Sequence, residues 1–151
     1  MRWNLIYRLR KVLHWAWLQD GSPAYRARGM AIGVFCGCLP FIGLQTLLGV
    51  TFASLLRGNH LLAISGTWIS NPVTYIPLCL LNYHLGSALL GNGSHMYDLS
   101  SFAWQDIWGQ GWIFCIRLLL GSLLSGLLFG ILVGIIVYMI LRFRSPRIRL
   151  R

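Results

Sequence analysis

Residues 118–141 read LLLGSLLSGLLFGILVGIIVYMIL, an uncharged run of 24 residues closed by Arg117 on one side and Arg142 on the other. At ~1.5 Å per helical residue it is about 36 Å long, and a ~30 Å hydrocarbon core needs about 20 residues. The run therefore predicts one regular transmembrane helix. Gly126, Gly130 and Gly134 recur at intervals of four within it, with Ser122 ahead of them. That row leaves a smooth stripe for close helix contact. The contact could lie within one chain or, as a homo-oligomer, between copies.

The composition around this run points the same way. Hydrophobic residues make up 56% of the 151 and charged residues only 11%, against roughly 25% charged in a soluble globular domain. Thirteen Lys and Arg face three acidic residues, giving a net charge of +10. The basic residues cluster at the two ends: Arg2, Arg8, Arg10, Lys11, Arg26 and Arg28 early, Arg142, Arg144, Arg147, Arg149 and Arg151 late. Only Arg57 and Arg117 lie between. Arginines flanking apolar runs are what the positive-inside rule expects of cytoplasmic ends. This layout accounts for the charge without nucleic acid as a partner.

Two further apolar stretches precede the last one, and both are interrupted. Residues 29–56 carry no charge, which is long for one span and short for two. Pro40 sits near the middle, followed by Gly43, and proline removes a donor and clashes with the preceding turn. Gly58 and Asn59 read as helix-ending residues after Arg57. Residues 58–91 are likewise uncharged, and Pro72 disfavours helical geometry at Asn71, which can instead cap the helix that follows. Residues 91–116, with Trp104, Trp108, Trp112, Asp98 and Asp106, read as a polar, aromatic connection on the outer face.

At the N-terminus, residues 3–18 form an amphipathic pattern within a segment 1–20. Leu5, Ile6, Leu9, Val12, Leu13, Ala16 and Trp17 share one side of a helix, while Arg8, Arg10, Lys11 and His14 share the other. Such a helix lies on an anionic leaflet or packs on its own membrane domain. Gly21 ends it, with Ser22 as N-cap and Pro23 as first residue of the next helix. Charges recurring through Lys11 argue against a cleavable signal.

The expected fold is an all-α integral membrane protein. An interfacial helix (1–20) precedes a membrane domain (21–141), and a basic cytoplasmic tail (142–151) ends the chain. With both ends cytoplasmic, the number of crossings is even. The last span supplies one, so residues 29–91 cross an odd number of times although they hold two apolar stretches. The economical solution makes one stretch a re-entrant hairpin. Irregular backbone at that depth requires surrounding protein or a water-filled cavity.

No enzyme motif is present, and the acids Asp20, Asp98 and Asp106 all lie outside the long apolar runs. His60, His84 and His95 are too scattered to suggest a metal site, and no cofactor is expected. Cys36, Cys38, Cys79 and Cys115 read as buried free thiols behaving as small hydrophobes. The polar residues in apolar surroundings are Gln45, Arg57, Asn59, Thr67, Ser70, Asn71 and Thr74. Broken helices expose N-termini that favour anions, and transporters place substrates between paired interrupted segments. One reading is an anion or phosphate-headgroup site built from the two breaks, with Arg57 supplying charge. The other is that these side chains cap and tie the broken helices.

Several strings together resemble the small membrane family catalogued as domain of unknown function 2062. They are Ser22-Pro23, Ala31-Ile32-Gly33-Val34-Phe35, Leu39-Pro40 with Gly43-Leu44-Gln45-Thr46, Arg57-Gly58-Asn59, and Gly66-Thr67-Trp68-Ile69-Ser70-Asn71-Pro72-Val73-Thr74-Tyr75. The resemblance covers roughly residues 20–141. It implies a bacterial inner-membrane protein, and relatives fused to a glycosyltransferase domain imply a link to envelope polysaccharide or lipid-linked sugar. The residues that recur in the family fall on Pro40, Gly43, Gln45, Arg57, Asn59, Thr67, Asn71, Pro72 and Thr74. Two functions follow as expectations. The first is a non-enzymatic carrier or flippase-like handler of an anionic lipid or small anion, meeting anionic lipid at the cytoplasmic face. The second is a membrane anchor or assembly partner for an envelope enzyme.

Overall fold

A computed structural model describes residues 20–41, 43–90 and 104–144, with side chains in the last segment described over 111–143. Among the described residues the fold is all-helical, with five helices and no strand: α1 (Pro23–Cys38), α2 (Leu44–Leu55), α3 (His60–Thr67), α4 (Pro72–Leu89) and α5 (Trp104–Arg144). The amphipathic segment before residue 20, the connection 91–103 and the tail beyond Arg144 lie outside the described residues.

The helix boundaries follow local chemistry. The Ser22 hydroxyl accepts from the Tyr25 N–H at 3.2 Å, and Pro23 opens α1, where its missing donor removes no helical bond. Pro40 forces the residue before it out of helical geometry; Leu39 accordingly adopts ψ 143 and ends α1. Gly43, at φ +85, turns the chain back into α2. The second break works similarly. Successive i→i+3 bonds from Trp68, Ile69 and Ser70 run out α3, and Pro72 holds Asn71 extended at ψ 167.

The α2–α3 turn departs from expectation. The residue with left-handed backbone is Arg57, at φ 51, rather than Gly58 or Asn59. The Gly58 N–H donates to Ala53 O at 2.7 Å and the Arg57 N–H to Ser54 O at 3.4 Å, the bond pair of a Schellman ending. Gly58 is required elsewhere, because a Cβ there would lie 2.9 Å from the Gly29 nitrogen. Asn59 begins α3 rather than ending α2: its side chain accepts from the Leu62 N–H at 3.0 Å.

Helix α1 is the centre of the assembly. On one side Gly29, Gly33 and Gly37 meet Asn59, Ala63 and Thr67, so α1 and α3 run parallel with their backbones almost touching. Helix α2 returns beside both, with Gly49 against Thr67 and Cys36. On its other side α1 meets the C-terminal half of α5. Gly126, Gly130 and Gly134 pack in order against Phe35, Ala31 and Ala31–Ala27, which makes the two helices antiparallel. The glycine stripe is therefore occupied within the chain. The N-terminal half of α5 pairs with α4 through Gly121 on the Asn82 carbonyl and Gly86 on the Arg117 carbonyl. Helix α5 thus acts as a spine, with α4 along one half and α1 along the other.

Helix α5 is also longer than expected. It starts at Trp104, so residues 104–116, read from sequence as connection, are helical. They contain no proline, and tryptophan, glutamine and isoleucine accept helical geometry readily enough once the helix is nucleated downstream. Within it, Gly111–Phe143 is the one helix among the described residues long and apolar enough to cross a membrane. Much apolar side chain is uncovered: Leu55, Trp68, Val73, Ile76 and Phe143 are each at least two-thirds exposed. Patches on that scale mark a surface that meets something other than water. Cys36 and Cys38 are buried free thiols as expected, whereas Cys115 is exposed.

Candidate polar site at the helix breaks

The two breaks come together. The Ser70 hydroxyl donates to Gln45 Oε1 at 2.9 Å across 25 residues of chain. One turn away the Thr46 and Thr67 hydroxyls are 3.3 Å apart. A Cβ on Gly37 would sit 2.7 Å from the Ile69 side chain, so the end of α1 abuts the second break directly. Gln45, Thr67, Ser70, Asn71 and Thr74 consequently form one polar neighbourhood, beside Pro40, Gly43 and Pro72.

Within this neighbourhood several side chains serve the backbone. Asn71 Oδ1 accepts from the Val73 and Thr74 N–H groups at 2.9 and 3.1 Å, and the Asn71 N–H donates to Thr74 Oγ1 at 3.0 Å. This reciprocal box starts α4. Thr67 Oγ1 donates back to Ile64 O at 2.7 Å. Two donor groups are left over. Gln45 Nε2 and Asn71 Nδ2 have no hydrogen-bond partner among the described residues. Helix α2 also begins without a side-chain cap. Unmatched N–H groups with no carboxylate among the described side chains nearby suit an acceptor-rich or anionic group.

Arg57 and Asn59 are not part of this neighbourhood. They lie at the other end of α3, eight residues and ~12 Å of helix away. There Asn59 N–H donates to Tyr25 O at 3.1 Å, and Gly58 lies against Arg28 and Gly29. Arg57 thus shares an end with Arg28 and, through the α1–α5 pairing, with Arg142. The single site expected from both breaks plus Arg57 resolves into a polar neighbourhood at one end of α3 and a basic rim at the other.

A second polar cluster went unread in the sequence. Asn82, only 1% exposed, donates Nδ2–H to Cys38 O at 3.0 Å and accepts from the Ser125 hydroxyl. Ser125 and Ser122 are fully buried beside it, and Ser122 donates to Leu119 O at 2.8 Å. The last carbonyls of α1 have no helical partner, and Asn82 supplies one from α4. Four residues down α5 from the Gly121–Asn82 contact, Arg117 is 8% exposed and donates Nη1–H to the Tyr83 hydroxyl at 3.1 Å. Tyr83 in turn stacks on Phe114, centroids 5.2 Å apart. The available signal was an asparagine inside the apolar run of α4, the same criterion that singled out Asn71.

No group of three or more His, Cys, Asp or Glu among the described residues is placed to hold a metal. The arrangement offers donors and cations, with no carboxylate pair among the described side chains; at the other end of α3 the Ser54 hydroxyl and His60 Nε2 are 2.8 Å apart.

Neither a curated protein nor a solved structure shows significant similarity to the chain. The match is to a family model, described as an uncharacterized protein conserved in bacteria, and it extends over residues 7–149, well beyond both breaks. The chain belongs to that bacterial family, domain of unknown function 2062.

Proposed function

We propose that this protein is a non-enzymatic, multi-pass protein of the bacterial inner membrane that handles an anionic lipid as a carrier or flippase-like protein, with both termini cytoplasmic. The observation that carries this reading is the Ser70–Gln45 bond, which joins the two helix breaks beside the unengaged amides of Gln45 and Asn71. Its position matters. The end of α1 lies against Gly126 of α5, ~24 Å of helix from Arg142 and ~14 Å from Arg117. If those arginines mark the two interfaces, the breaks lie inside the hydrocarbon layer. Polar groups at that depth need partners, and a headgroup phosphate in transit supplies acceptors.

In this reading α1 and α2 form the re-entrant hairpin, entering and leaving at the basic rim. Helices α4 and α5 complete an even number of crossings. Arg28, Arg57 and Arg142 at the rim attract anionic lipid from the cytoplasmic leaflet, each contributing about 1 kcal/mol near such a surface.

The test is lipid transfer in proteoliposomes. The full-length protein is reconstituted with a fluorescent phosphatidylglycerol, and loss of outer-leaflet signal to dithionite reports exchange between leaflets. The expected result is exchange well above protein-free liposomes, reduced about tenfold by Gln45→Leu, which removes a donor group worth ~1.5 kcal/mol at nearly constant volume. Wild-type protein that leaves the exchange rate at the protein-free level refutes the reading.

A further inference from the structure

Helices α1 and α5 leave an apolar groove beside their glycine contact. Ala24, Ala27 and Ala31 form its α1 wall, and Ile131, Gly134 and Ile135 its α5 wall. The volume is about 330 Å³, and a second hollow of about 460 Å³ shares Ala31 and Ile131 with it and continues toward Phe35 and Gly126. Together they fall within the ~300–1,000 Å³ typical of ligand sites. The cause lies in sequence: alanines at i, i+3 and i+7 of α1 face a helix whose apposed residue is glycine, so nothing fills the space between two helices already in contact.

The groove has a charged mouth. Arg28 and Tyr138 complete its lining. Arg142, one turn beyond, donates Nη1–H to the Tyr138 hydroxyl at 3.5 Å and holds its guanidinium 5.9 Å from the ring centroid. Neither arginine has a carboxylate partner among the described residues, and the one acid whose side chain is described, Asp20, lies eight residues before Arg28. Two arginines, one on each helix, thus flank an apolar slot. A free phosphate would gain nothing from the slot. A neutral lipid would gain nothing from the cations. A peptide would leave its backbone groups unpaired against walls with almost no polar surface.

We propose that this groove is a binding site for one anionic phospholipid, its phosphate between Arg28 and Arg142 and one acyl chain lying along Ala27, Ala31 and Ile131. The proposal rests on the reading of the chain as an anionic-lipid handler, but it concerns retention of a lipid rather than transfer.

Native mass spectrometry of the full-length protein in mild detergent tests it, with phosphatidylglycerol and phosphatidylcholine of identical chains supplied in equal amounts. Each arginine near an anionic headgroup is worth about fivefold, so a preference for phosphatidylglycerol on the order of twenty-fold is expected. Arg28→Gln combined with Arg142→Gln brings the ratio close to one. Ile131→Trp, at a position 54% exposed where the fold does not depend on its size, removes both adducts. Unaltered thermal unfolding shows that each variant is folded. Equal retention of the two lipids by wild type, which marks a merely annular lipid, overturns the proposal. So does a preference that survives the double substitution, or adducts that survive Ile131→Trp. The liposome assay separates this site from the transfer function. Retention without transfer keeps the site and rejects the carrier; transfer without selective retention does the reverse.

Discussion

Gly33→Ala isolates the physical basis of the fold. In an ordinary helix this change stabilises by about 0.5–1 kcal/mol, because alanine loses less backbone entropy on folding. At position 33 the new Cβ would meet the backbone of Ala63, 2.8 Å from its carbonyl carbon and 2.9 Å from its Cα. The obstacle is backbone, the Ala63 carbonyl oxygen being nearest of all, so no rotamer relieves it, and α3 must retreat from α1 by roughly an ångström. A gap of that size forfeits about half of the dispersion energy of each separated atom pair. The loss extends along the seam, since Gly29 on Asn59 and Gly66 on Val34 depend on the same separation. Overpacking of this kind costs about 1–3 kcal/mol. Set against the helix gain, the net expectation is a loss on the order of 1–2 kcal/mol, a five- to thirtyfold fall in the folded-to-unfolded ratio. Gly111→Ala is the control, because nothing lies within 4 Å of its Cβ position, and it should stabilise by about 0.5–1 kcal/mol. The assay is denaturant unfolding of the purified full chain in detergent micelles, followed by circular dichroism. Opposite signs for the two variants are expected. Gly33→Ala as stable as Gly111→Ala would refute the close approach of α1 and α3.

Three other outcomes follow from the same geometry. Asn82→Leu leaves Cys38 O without its partner and the Ser125 hydroxyl with only Ser122 O, at 3.3 Å, and should destabilise by about 1–3 kcal/mol. Adding Ser125→Ala should recover part of that loss in a double-mutant cycle, whereas strict additivity would deny the bond between them. Arg57→Gly should raise stability by up to about 1 kcal/mol by relieving the left-handed backbone at φ 51, and Arg57→Val should lower it; equal midpoints for the two would contradict the turn geometry. In a cysteine-free background, a cysteine replacing Arg57 should resist an impermeant thiol reagent applied to intact cells, while one replacing Asn92 should react. Labelling at both places would remove the re-entrant hairpin from the model of topology.

How much of this was legible in the chain depended on whether the cause was local. Ser22-Pro23, Pro40 and Asn71-Pro72 act on their immediate neighbours through φ, ψ and capping, and each break or start stands where those residues require it. The long uncharged run also spoke for itself, although α5 outran it by more than three turns because helix continuation through Trp104–Ile116 depends on what nucleates it rather than on charge. Partnership between distant residues was legible only in part: the two breaks were expected together, and Ser70 meets Gln45. Arg57 and Asn71 look like neighbours across a broken segment, yet α3 is a straight eight-residue helix and puts them at its opposite ends. The glycines show the same limit from the other side. Gly126, Gly130 and Gly134 announced a contact face without its partner. The partner proved to be the face of α1 carrying Ala27, Ala31 and Phe35. The companion row Gly29, Gly33 and Gly37 went unread, because Pro40 had marked that region as a break and drawn attention from the regular helix before it. Two glycine rows on adjoining helices, each spent on a different neighbour, are why α1 sits at the centre. They also explain why the short α2 and α3 are held in place against α1 and, through it, against α5. The polar neighbourhood at the breaks is positioned by the glycines that bring α3 against α1, so under the proposed lipid-handling function a substitution such as Gly33→Ala should disturb lipid exchange as well as stability, though its side chain touches none of the polar groups.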